Sequence, residues 1–150
     1  MTEKEKAAEL FLQGYNCSQS VFTAFCQRFD IDEDTAKKIS AGLGGGVGRM
    51  REVCGAVSGA AMVLGSVFSA TDGKDSESKQ KNYELVREFA EEFKERNGSV
   101  VCAELLGLKT KEGSAKPQER TNEYYKKRPC LKMVEDAAEI TALLIEKYSK

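Results

Sequence analysis

Histidine is absent from this chain of 150 residues. Its absence removes the usual general base, the nitrogen ligand of most zinc sites and the imidazole of a Ser-His-Asp triad. CxxC pairs are missing as well, and no CxxCH sequence is present to attach a c-type haem. The chain does contain five cysteines, which are Cys17, Cys26, Cys54, Cys102 and Cys130. Any chemistry that this protein performs is therefore expected to use sulfur.

An excess of charge of either sign is also absent, since 23 basic side chains face 24 acidic ones and the net charge is −1. A nucleic-acid surface needs a basic excess, so we expect no nucleic-acid partner. The length fits one domain with its own core, and we predict a single helical cysteine-motif domain over residues 1–150. The charged segment 1–11 resembles neither a signal peptide nor a lipidation site, which predicts a cytoplasmic location where thiols stay reduced.

Strand-type alternation is missing too, and the chain has only two prolines. Apolar residues recur at spacings of three and four, which predicts an all-α fold. We expect a compact bundle of about six to seven helices around a buried central glycine-rich helix. The predicted helical segments are residues 3–13, 16–29, 33–40, 49–69 and 77–96, a short helix after Ser99, a turn at 119–126 and a last helix from about Cys130. Residues 109–119 are predicted to be a loop.

The central helix carries no charge between Val53 and Ala70. A membrane span needs about 20 strongly apolar residues, whereas glycines and serines interrupt this stretch. We therefore predict a helix buried on all sides, with no membrane contact. The next helix is amphipathic, and we expect its inward face to contain Tyr83, Val86, Phe89, Ala90 and Phe93.

Four of the cysteines lie near predicted helix starts: Cys17, Cys54, Cys102 and Cys130. Free N–H groups and the partial positive charge of a helix N-terminus favour a thiolate, which is the nucleophile and the metal ligand. Two interpretations remain open, namely one shared site or four separately buried thiols. Cys26 falls in a Phe-rich stripe and is predicted to be a core residue.

Five glycines lie between Gly42 and Gly48, directly before Arg49. This segment lacks the Lys-Ser/Thr of a P-loop, so we predict a close-approach turn beside Cys54. Arg49 and Arg51 either stabilise the Cys54 thiolate, bind an anionic partner or are ordinary surface charges. The basic-aromatic run 124–128 is predicted to be surface.

The segment around Cys54 resembles the C_GCAxxG_C_C family of redox-active proteins. Its sequence is Gly48-Arg49-Met50-Arg51-Glu52-Val53-Cys54-Gly55-Ala56-Val57-Ser58-Gly59, in which Cys54-Gly55-Ala56 and Gly59 correspond to the central motif. Cys17, in Tyr15-Asn16-Cys17-Ser18-Gln19, matches the first cysteine of the pattern, and Cys102 and Cys130 match the last two. Cys26 lies outside it. This chain has Cys-Gly-Ala where the family name has Gly-Cys-Ala.

The resemblance implies a helical protein of anaerobic bacteria with a redox or metal role. An iron–sulfur cluster or another Cys-ligated metal would be held by Cys17, Cys54, Cys102 and Cys130, and electron transfer is the expected activity. We predict Gly48, Arg49 and Gly55 as cofactor contacts, and no haem.

Three alternatives use the same cysteines differently. Without metal, Cys54, Cys102 and Cys130 would be redox thiols of a thiol–disulfide protein or sensor. A structural zinc held by four cysteines, or a helical interaction module with cysteines in its core, would have no redox role. The expected partner is a redox protein or a small electron carrier, and a homodimer is a further candidate assembly.

Overall fold

Most of the described chain is helical. The computed structural model describes residues 1–110 and 113–149, except the side chain of Lys127. Within these residues there are eight α-helices, two 3-10 helices and no β-strand. The α-helices are α1 (Glu3–Leu12), α2 (Cys17–Ala24), α3 (Glu33–Ser40), α4 (Gly55–Phe68), α5 (Ser76–Asn97), α6 (Cys102–Leu105), α7 (Asn122–Lys127) and α8 (Cys130–Tyr148). The 3-10 helices are Cys26–Phe29 and Ala41–Leu43.

Local caps fix several helix ends. The Asn16 side chain accepts a hydrogen bond from the Gln19 N–H at 2.8 Å, and the Gln19 side chain accepts one from the Asn16 N–H, which forms a capping box at α2. Asp32 caps α3 in the same way, through the N–H of Thr35. Gly98 ends α5 in the left-handed conformation that glycine allows. These contacts span three or four residues and follow directly from the sequence.

Helix α4 contacts α2, α5 and α8. Its approach to α2 requires glycine, because a Cβ built at Gly59 would lie 2.9 Å from the Ser18 carbonyl oxygen. The helix is not buried on all sides, since Ser66 is exposed on its outer face. Large side chains from α4 and from the surrounding elements fill the core. Those that are fully buried include Phe11, Phe25, Phe89, Phe93, Leu10, Leu64, Val63 and Val134.

Three predicted elements differ from the structure. Helix α4 begins at Gly55 and not near Arg49, because Arg49 and Arg51 have positive φ and cannot continue a helix. The predicted second helix divides at Phe25 into α2 and a 3-10 helix. Tyr83 is 63% exposed, because it lies two residues, or about 200° around the helix, from the buried stripe of Leu85, Phe89 and Phe93.

The predicted loop 109–119 contains no helix in its described part, and Lys111 and Glu112 fall outside the described residues. None of the helices that the structure describes is both long and apolar enough to cross a membrane.

Candidate functional site

All four motif cysteines stand at helix N-termini. Cys17, Cys102 and Cys130 are the first residues of α2, α6 and α8, and Cys54 is the N-cap of α4. Backbone N–H groups at such positions lack helical partners, so the thiols meet a field that favours negative charge. All four sulfurs therefore lie in the field of a helix start, although their burial and neighbouring charges differ.

The same four cysteines line one cavity of about 60 Å³. Cys54, Cys102 and Cys130 are buried and Cys17 is partly buried, and all of these thiols are free. Cys26 is elsewhere: it is 3% exposed in the core and borders a separate surface groove. Burial raises the pKa of the Cys26 thiol. The structure thus brings four cysteines together and leaves the fifth apart.

The glycine-rich segment positions Cys54 and Cys102 through a series of tight turns. Gly46 has a φ of 73°, and a Cβ there would lie 2.7 Å from the Cβ of Cys102, so only glycine permits this approach. Val47 also has positive φ, which costs about 1–3 kcal/mol for a β-branched residue. Compensating backbone bonds join the end of the turns to the start of α6. Cys54 N–H donates to Val100 at 2.8 Å, and Cys102 N–H donates to the carbonyl of residue 52 at 2.6 Å.

Cys17 and Cys130 shift each other's pKa in opposite directions. Interaction with Cys130 raises the pKa of the Cys17 thiol well above its ordinary value, with burial adding to the effect. Interaction with Cys17 lowers the pKa of Cys130 to about 7, and Arg128, Arg120 and Arg51 lower it further against the opposing effect of burial. The thiolate form is therefore favoured at Cys130 over Cys17.

The other two thiols lie in different environments. Burial raises the pKa of Cys54 to about 12, although the N–H groups of Ala56 and Val57 act in the opposite direction. At neutral pH Cys54 is consequently a thiol. Cys102 instead accepts a hydrogen bond at its Sγ from Nη1 of Arg51 at 3.7 Å, in a buried contact.

A Cys-ligated metal fits the chemistry of this cavity but not its geometry. Four sulfur donors around one space suit iron–sulfur or zinc ligation. Across the ranges 1–110 and 113–149, however, no three His, Cys, Asp or Glu side chains are placed so that they could hold one ion. The metal-ligand roles of Cys17, Cys54, Cys102 and Cys130 stay predictions.

The predicted cofactor contacts divide between two neighbouring spaces. Gly55 lines the cysteine cavity, whereas Gly48 and Arg49 line an adjoining pocket of about 480 Å³. Sequence reasoning missed Arg120, which lies in a polar stretch without a motif. Arg128 was predicted to lie at the surface, although its position two residues before Cys130 indicated that it could lie near the cysteine site.

Together these features define an all-helical protein with a cysteine cavity at the N-termini of four helices. The family model described as "Putative redox-active protein (C_GCAxxG_C_C)" matches residues 15–144, a range that includes all four motif cysteines. The chain belongs to this family, as the motif residues indicated. No curated protein and no solved structure matches the chain.

Proposed function

We propose that the protein is a thiol–disulfide redox protein whose reactive pair is Cys130 and Cys17. The observation that carries this proposal is that both thiols line one small cavity, where their interaction lowers the pKa of Cys130 to about 7. Because the thiolate is the nucleophile, about half of the Cys130 side chains would be reactive at pH 7. Cys17, which lines the same cavity, would act as the second, resolving thiol.

The reaction follows ordinary thiol–disulfide exchange. The Cys130 thiolate attacks one sulfur of a substrate disulfide, so that a Cys130–sulfur bond forms and the substrate S–S bond breaks. The first substrate thiolate leaves with the electron pair. Cys17 then loses its proton and attacks Cys130 Sγ, which forms the Cys17–Cys130 disulfide and releases the second substrate thiolate. The protein dithiol is oxidised by two electrons, and the disulfide substrate is reduced to two thiols.

Disulfide mapping tests this proposal. The reduced protein is exposed to a small disulfide, and the loss of free thiols and the linked peptides are measured by mass spectrometry. We expect a loss of two thiols and a Cys17–Cys130 linkage. Replacement Cys130→Ser should abolish it, and the matched control Cys26→Ser should not. An unchanged thiol count, or a linkage between other cysteines, would contradict the assignment of the pair.

A Cys-ligated iron–sulfur centre is the second candidate, and the observation that favours it is the single cavity lined by all four motif cysteines. Binding would require the side chains to move closer together than they are placed. Anaerobic reconstitution with iron and sulfide should then give visible absorption with stoichiometric iron, and single Cys→Ser variants at the four positions should lose it. Colourless, iron-free protein would count against this candidate.

We also propose that the protein exchanges electrons with a partner. A redox protein or a small electron carrier would supply or accept the two electrons, in a reducing cytoplasm. Homodimer formation stays a prediction from the sequence.

A further inference from the structure

A pocket of about 480 Å³ adjoins the cysteine cavity, and the two spaces share lining residues, among them Arg51, Arg120 and Arg128. Arg49 completes a set of four arginines around the larger pocket. No Asp or Glu among the described residues lines it, and no described carboxylate lies within ion-pair distance of these arginines. A pocket of this volume is in the range of small-molecule sites.

Arg51 gives the strongest indication that this pocket binds an anion. Its residue is only 6% exposed, and its buried Nε has no hydrogen-bond partner in the part of the chain that the structure describes. Its Nη1 reaches only the weak acceptor Cys102 Sγ. A buried, unpaired cation with an unused donor is costly, and an anion in the adjoining pocket would compensate it.

The remaining arginines are held in place by neutral groups. Arg120 donates to the carbonyls of Phe11 and Tyr15 at 2.8 and 2.9 Å, while Arg49 donates to the carbonyl of Ser114 at 2.9 Å. These bonds fix the guanidinium groups without neutralising their charge. Burial and the nearby charges of Arg51 and Arg128 lower the pKa of Arg49, as expected for cations that repel one another.

We propose that this arginine pocket binds a small organic disulfide that carries carboxylates, and presents its sulfur to Cys130. The inference rests on the proposed function, because it names the substrate class of the same thiol pair. The charge follows from the four arginines, the size from the pocket volume, and the sulfur from the cysteines that line the adjoining cavity. A carboxylate is a good match for a guanidinium group, because the two can form paired hydrogen bonds.

Two disulfides of opposite design test the proposal: dithiodipropionate, a dicarboxylate, and bis(hydroxyethyl) disulfide, which is neutral. The measured quantity is the rate of Cys17–Cys130 disulfide formation at low salt, expressed as the anionic-to-neutral ratio. We expect this ratio to be well above one. Replacement Arg49→Gln should lower it by about five- to tenfold, since one charged contact is lost. Arg49 is suited to this test because it is only partly buried.

The matched control is Arg87→Gln, which removes the same charge from an exposed position of α5 that lines neither space. It should leave the ratio unchanged, which separates pocket contact from general attraction. Suberate, in which methylenes replace the two sulfurs, should bind measurably by calorimetry and more weakly to Arg49→Gln. This second readout does not depend on thiol chemistry.

The possible failures are distinguishable. If neither disulfide oxidises the Cys17–Cys130 pair, the proposed function fails, and the substrate assignment fails with it. If both disulfides react at similar rates, and Arg49→Gln changes neither the ratio nor suberate binding, the thiol function stands and the anionic substrate is refuted.

Discussion

Removing the Cys17 thiol should raise the pKa of Cys130. The perturbation is Cys17→Ala, which deletes the group that contributes most to the lowered pKa. The matched variant Cys17→Ser keeps a donor of similar size, since a hydroxyl also donates a hydrogen bond. Neither variant can form the Cys17–Cys130 disulfide, so the comparison isolates the hydrogen bond from the redox reaction.

The size of the effect can be estimated from the pKa itself. Lowering the Cys130 pKa from 9.0 to about 7 corresponds to about 3 kcal/mol. A hydrogen bond to a charged group contributes about 1.5–3 kcal/mol. We therefore expect Cys17→Ala to raise the pKa by about 1–1.5 units, while the charges of the nearby arginines continue to lower it.

The rate of Cys130 alkylation at pH 7 should fall less than the loss of thiolate alone would predict. The thiolate fraction falls roughly tenfold, but a thiolate of higher pKa is a better nucleophile, which offsets about fourfold of the loss. Alkylation of Cys130 by iodoacetamide should slow only about two- to threefold at pH 7 and become faster than in the parent protein at high pH. The midpoint of the pH–rate curve is therefore the decisive quantity.

The assay is iodoacetamide alkylation of Cys130 as a function of pH, followed by mass spectrometry of the peptide. The parent protein should show rates that rise with pH through about 7, because deprotonation produces the nucleophile. The midpoint should move upward in Cys17→Ala, remain low in Cys17→Ser and stay unchanged in Cys26→Ala. An unchanged midpoint in Cys17→Ala would show that the hydrogen bond does not set the reactivity of Cys130.

Three further predictions concern packing and burial. Gly59→Ala should lower the free energy of unfolding by about 1–3 kcal/mol, because its Cβ would meet the Ser18 carbonyl. The matched variant Gly65→Ala makes no contact below 3.8 Å and should raise the free energy of unfolding by up to about 1 kcal/mol. Urea unfolding measures both changes. Phe89→Ala should cost about 3–5 kcal/mol in the same assay, since that ring is fully buried. Cys54, with a pKa of about 12, should resist iodoacetamide at pH 8 until the protein is denatured; modification in the folded state would contradict its burial.

Much of the helical framework could be predicted because helix ends depend on neighbours in the sequence. Asp32 and Asn16 form caps with residues three positions later, and Gly98 ends α5 by its own conformational freedom. The same dependence on neighbouring residues allowed the motif cysteines to be predicted at helix starts. Amphipathic spacing wrongly predicted that Tyr83 faces inward, because the sequence pattern does not show where the core ends.

The start of α4 could not be predicted from the sequence alone. Arg49 and Arg51 have ordinary helical propensity, yet both have positive φ. Bonds between the segment 51–54 and the segment 100–103 hold this conformation, including the bond from Cys54 N–H to Val100. Such non-local bonds outweigh propensity and leave no signal within either segment.

The sequence by itself determined the helical class, the helix caps and the restriction to sulfur chemistry, because these follow from periodicity, neighbouring residues and the absence of histidine. Only the tertiary structure decided that Cys17 and Cys130 line the same cavity, together with Arg51 and Arg120. These residues lie on separate segments, and their distances depend in part on how α1, α2 and α8 pack. A pKa is set by such distances and by burial, so the thiol with the lowered pKa could be recognised only in the folded chain.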